Sequence, residues 1–207
     1  MTGFYYLKIW YNLIVKKYDM NNERGIIMIW EIIIISVVGT LLHFTYDWSK
    51  HNKVVALFSA VNESTWEHIK MSLSAIFLCS IVDSLFLGSN PNYFFAKLVS
   101  ILIIIIVIPL IFYGYKFITK KPILIIDILS FYIAIIISQL AFYHILTTNP
   151  LPFIYSYLGT VGTFIVFGLY MVLTLLPLEN FIFKDPITSK YGLKGHSEEI
   201  VNKNRKR

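Results

Sequence analysis

Five apolar runs of hydrocarbon length, divided by short polar breaks, set the plan of the chain. They lie at about 26–46, 65–87, 94–117, 123–146 and 154–177. A helix needs about 20 residues to cross a bilayer, so each run is a predicted transmembrane helix. The third contains Val99-Ser-Ile-Leu-Ile-Ile-Ile-Ile-Val-Ile-Pro-Leu-Ile-Phe112, almost free of polar atoms, with a kink expected at Pro109. Turn-forming residues mark three of the breaks: Gly88-Ser-Asn-Pro-Asn92, Thr119-Lys-Lys-Pro122 and Thr147-Thr-Asn-Pro-Leu-Pro152. Trp30 and Trp48 stand near the two ends of the first span as interfacial anchors. Ahead of it, residues 4–17 are too short to cross, and Lys8, Asn12 and Lys16 make one polar stripe on an apolar helix. That pattern suits a helix lying in the interface. The expected fold is all-α: an integral membrane helical bundle of about five transmembrane helices plus an amphipathic N-terminal helix. Residues 1–22 form the interfacial helix or extension, 23–183 the transmembrane domain, and 184–207 a basic polar tail expected in water and partly disordered.

Composition sharpens this picture. The chain has 207 residues, 57% of them hydrophobic and 14% charged, against about 45–50% and 25% in soluble domains. Its single cysteine, Cys79, excludes a disulfide within the chain and a cysteine-based zinc site. The net charge of +6 comes from cations that flank apolar runs, where they meet lipid headgroups and set topology. Membrane lipids are therefore the expected partners, and nucleic acid is not, because no basic patch on a soluble domain is present. Thirteen of the eighteen Lys and Arg fall on the side that carries the 47–64 connection and the C-terminus. By the positive-inside rule that side is expected in the cytoplasm, with the protein in the plasma membrane.

One stretch breaks the apolar pattern. Phe58-Ser-Ala-Val-Asn-Glu-Ser-Thr-Trp-Glu-His-Ile-Lys70 crowds carboxylates, an imidazole, an amide and hydroxyls between two spans. Ser64-x-x-Glu67 fits a capping box and Asn62 is also a good cap, so a loop turning into a helix near Thr65 is expected. Read at helical spacing, three spans carry small or polar stripes: Ser36, Thr40, His43 and Asp47; His68, Ser72, Ala75, Cys79 and Asp83; and Asp127, Ser130, Ala134, Ser138 and Ala141. Helices associate in lipid through such residues, so spans one, two and four are expected to form the interior. Span five, with Ser156, Gly159, Thr160 and Thr163, should lie against them, and span three should face lipid.

Ionisable groups inside spans are costly, commonly paired and commonly functional. At the island end they are His43, Asp47, Glu63, Glu67, His68, Asp127 and, at the end of span five, Glu179, supported by Asn62, Ser64 and Trp66. At the far end they are Glu31, Asp83 and His144, with Lys97 and Gln139 nearby. His43-x-x-x-Asp47 and Glu63-x-x-x-Glu67-His68 each put donors on one helix face, and two such helices suit a divalent metal or a small polar ligand. An unligated glutamate beside bound zinc would serve as a base. The plainer alternative is that Glu63 and Glu67 cap the second span, His43 bonds to Asp47, and the far-end groups join helices. HExxH, phosphate-cradling glycine loops and nucleophile elbows are absent. A metal-dependent lipid hydrolase, a proton- or ion-coupled transporter and a structural or accessory protein all remain open.

Leu42-His-Phe-Thr-Tyr-Asp-Trp-Ser49, Phe58 to Lys70, and Phe183-Lys-Asp-Pro-Ile-Thr-Ser-Lys-Tyr-Gly192 together resemble a family of small multi-pass membrane proteins of Gram-positive bacteria, a domain of unknown function. The resemblance covers about residues 27–196. It implies the fold and a bacterial plasma membrane, and no catalytic residues. A looser likeness to alkaline ceramidase and progestin-receptor-like hydrolases implies a zinc site. Those proteins have seven spans and further metal histidines near the chain end, which this chain does not supply.

Overall fold

The computed structural model describes residues 20–195, and side chains from residue 26 onward. The interfacial helix expected before residue 20 and the chain after 195 lie outside these residues. Five long helices follow in order: α1 Met20–Trp48, α2 Thr65–Leu87, α3 Tyr93–Thr119, α4 Leu124–Thr147 and α5 Phe153–Leu175. A single 3-10 turn, Val55–Leu57, interrupts the α1–α2 connection. All five helices are long and apolar enough to cross a membrane. Pro109 sits inside α3 without ending it.

Helices α1, α2, α3 and α4 form a closed ring of neighbours, and α5 packs chiefly on α3. Span three is therefore central rather than lipid-facing, which reverses the expectation from its lack of polar atoms. Its buried side chains are Tyr93, Ala96, Lys97, Ser100, Ile101, Ile104, Ile108 and Phe112, a continuous ridge at three- and four-residue steps. Close packing of shape, not polarity, is what joins helices here. The approach of α5 depends on glycine. A Cβ on Gly159 would lie 2.3 Å from the Phe95 backbone nitrogen, and one on Gly162 2.6 Å from the Leu98 side chain. Polar links are few in the middle of the ring, where Thr40 and Tyr132 join α1 to α4 at 2.9 Å.

Helix α2 is asymmetric. Thr65 to Ile76 are buried on nearly every side, while Ile81, Val82, Leu85 and Phe86 are exposed to the lipid zone. The difference comes from what covers the island end. After α5 the chain turns back across it, and the Phe183 ring stacks on Trp66 at 4.6 Å. Trp66 N donates to Ile182 O at 2.9 Å, and Asn62 Nδ2 donates to Gly192 O at 3.0 Å. Asp185 is wholly buried and accepts from Ile187 N and Thr188 Oγ1, while a bridge pairs Lys184 with Tyr191. Residues 184–195 are thus part of the fold, not a tail in water. The apolar Phe183 and the turn around Asp185 supply the reason, because together they bury a strap over the island.

Candidate functional site

The island is fastened to α1 by Ser59. Its hydroxyl donates to Leu42 O at 2.5 Å and accepts from Tyr46 N at 2.9 Å, standing between the acceptor and donor of one turn of α1. Ala60 N also donates to Leu42 O. The carbonyl that anchors the loop thus belongs to the residue before His43, whose imidazole lies 3.6 Å from Glu63 of the island.

Glu67 takes a different part from the one its spacing suggests. Ser64 is the N-cap residue of α2, yet its hydroxyl makes no cap and is buried without a partner. Glu67 Oε2 accepts from Val61 N at 3.0 Å and pairs with Lys70 Nζ at 2.6 Å. Lys70 is fully buried and also donates to Ala56 O at 2.9 Å. The capping box is therefore replaced by a buried ion pair that ties the loop to the first turn of α2. Glu67 Oε2 is thus committed to Val61 and Lys70. Asn62 does cap locally, its Oδ1 accepting from Ser64 N at 2.8 Å while its amide holds the strap. Trp66 packs under Phe183, with its indole nitrogen buried and unpartnered.

Three of the expected ligands come together. Glu63 Oε1 lies 3.6 Å from His43 Nε2, and its Oε2 lies 3.9 Å from His68 Nε2. One carboxylate thus stands between two imidazoles from different helices. Both separations exceed a hydrogen bond. The group is half-buried, with side-chain exposures of 33%, 30% and 19% for His43, Glu63 and His68, so it is reachable from water. His43 Nδ1 is buried without a partner. Among the described residues no group of three or more His, Cys, Asp or Glu is arranged so that it could hold a metal ion as it stands.

Two expected members stand elsewhere. Asp47 faces out and meets His51 Nε2 at 3.3 Å, because one further turn of α1 carries it past the island into solvent. Asp127 accepts from Tyr115 Oη at 2.5 Å, and the same oxygen accepts from Ile123 N at 3.0 Å, so this pair closes the α3–α4 turn.

The far end is built differently. Lys97 Nζ contacts Asp83 Oδ2 at 2.6 Å and Glu31 Oε1 at 3.5 Å, with its ammonium over the Phe142 ring at 3.9 Å. Tyr93 Oη donates to Asp83 Oδ1 at 2.5 Å, and Tyr143 Oη donates to Glu31 Oε2 at 2.6 Å. Four helices thus meet at one charged cluster, in which Lys97 is 1% exposed. His144, expected in this layer, is exposed and outside it, since its neighbour Tyr143 occupies the inward face of α4. Sequence reasoning missed Ser59, Lys70, Tyr93 and Tyr143. Only Lys70 carried a usable signal, the three-residue step from Glu67.

Fold and charge arrangement together define a multi-pass α-helical membrane protein. The chain belongs to a family of unknown function (DUF6512), whose model matches residues 7–193. That match takes in much of the N-terminal stretch that the phrase-by-phrase resemblance left out. No curated protein and no solved structure matches the chain.

Proposed function

We propose that this membrane protein binds a small cation at its island end, between His43, Glu63 and His68. The observation that carries this reading is the placement of Glu63 between two imidazoles, 3.6 and 3.9 Å away. Two ligands about 2.0–2.2 Å from a tetrahedral zinc ion stand roughly 3.3–3.6 Å apart, so Glu63 is near that spacing from His43 and must draw closer to His68 for an ion to seat. Mixed imidazole and carboxylate donors favour Zn²⁺ over Mg²⁺ or Ca²⁺. The partial exposure of all three leaves a path for the ion and for water.

A hydrolytic role has less support than binding. Of the two island glutamates, Glu67 is paired with the buried Lys70 at 2.6 Å. Membrane lipids are the immediate partners in this reading, and the plasma membrane is its setting, with the island and strap on the cytoplasmic face. Isothermal titration of the detergent-purified, chelator-stripped protein with zinc tests it. One saturable site is expected, weakened at least tenfold in His43→Ala and in His68→Ala. Wild-type protein that takes up no zinc, or histidine variants that bind as well as wild type, would contradict it.

A further inference from the structure

The far-end cluster contains two carboxylates and one ammonium, and their partners are unequal. Asp83 is satisfied as an anion, with Tyr93 Oη on Oδ1 and Lys97 Nζ on Oδ2. Glu31 receives Tyr143 Oη on Oε2, whereas its Oε1 is buried without a hydrogen bond and has Lys97 Nζ only at 3.5 Å. The Glu31 side chain is 10% exposed and lies within electrostatic range of Asp83.

We propose that Glu31 holds a proton at neutral pH, so that Glu31, Asp83 and Lys97 form a one-proton binding site enclosed by the bundle. An uncompensated carboxylate in a low-dielectric interior is far costlier than its neutral acid. The described groups that face Glu31 are Asp83 from α2, Lys97 and Tyr93 from α3 and Tyr143 from α4, with the Cys79 thiol of α2 bordering them. The phenols are neutral donors and Lys97 is the sole cation among them, so one negative charge is left over. Glu31 Oε1 is where a proton removes it. A metal ion would not serve, because the ammonium already occupies the space between the carboxylates and rests on Phe142. Losing this proton would leave a net charge between four helices, which is how a change of pH on one side of a membrane would act on the bundle.

Infrared spectroscopy of purified protein with carbon-13-labelled glutamate carboxyls tests this. At pH 7 the wild type should show a protonated-carboxyl C=O band that moves with the label. The band should vanish in Glu31→Gln, and in Asp83→Asn, where Glu31 becomes the sole partner of Lys97 and ionises. It should persist in Glu63→Gln, whose carboxylate is at the other end. No labelled band in wild-type protein overturns the proposal whether or not the variants fold. So does a band that survives Glu31→Gln or disappears in Glu63→Gln.

Discussion

The two ends of the bundle handle buried charge in opposite ways. At the far end every group faces inward and the cluster is closed: one ammonium, two carboxylates and two phenols from four helices. At the island end the charges divide into two tiers. Glu67 and Lys70 neutralise each other inside the fold, while Glu63 remains half-exposed between His43 and His68. The close buried pairs, Glu67 with Lys70 and Asp83 with Lys97, hold the chain. Glu63, 3.6 and 3.9 Å from two imidazoles, is where the proposed ion would sit.

Breaking each cluster in turn should separate these roles. The largest effect is expected from Lys97→Met, which leaves the Asp83 anion buried without its cation; removing one partner of a buried pair costs about 3–5 kcal/mol. A large drop in the thermal midpoint in detergent would register it, and adding Asp83→Asn should restore much of the loss. Lys70→Met should cost a similar amount, with Glu67→Gln as its partial rescue. Failure of that rescue would mean that Glu67 does more than hold the loop. Phe183→Ala comes next, at about 3 kcal/mol for a buried phenylalanine. It should free the strap to proteolysis near 177–195 while leaving the far-end infrared band in place. The smallest effect belongs to Asp47→Asn, within about 0.5 kcal/mol for an exposed pair, with zinc binding unchanged. An Asp47 variant that lost zinc would draw the site outward along α1.

The five helices were legible because run length and turn chemistry are local properties, and a bilayer imposes both. Which helix sits in the middle was not. Ser36, Thr40 and His43 advertise an inward face by polarity, whereas α3 packs by the shape of its buried Ile101, Ile104 and Ile108 and brings Phe95 and Leu98 against the glycines of α5, a match no single span displays. At the site, His43, Glu63 and His68 were among the ligands expected from the sequence, but Glu63 lies in the loop ahead of α2, where helical spacing does not place it. The diversion of Glu67 to Lys70 competes with capping at nearly the same spacing, and burial decides it. The strap could not be read, since Phe183 and Gly192 find Trp66 and Asn62 across more than a hundred residues. The far-end pair Asp83 and Lys97 is joined by a tight turn, yet its phenols arrive from α3 and α4 at positions that look like ordinary interfacial tyrosines.

The contrast between a closed far end and an open island end rests on whether Glu63 and its two imidazoles take an ion. Elemental analysis of the full-length protein, purified in detergent, loaded with zinc and desalted, measures this directly. About one zinc per chain in the wild type, lost in His43→Ala and His68→Ala and retained in Asp47→Asn, is the predicted result. Wild-type protein that emerges without zinc, or variants that all keep it, would contradict the account.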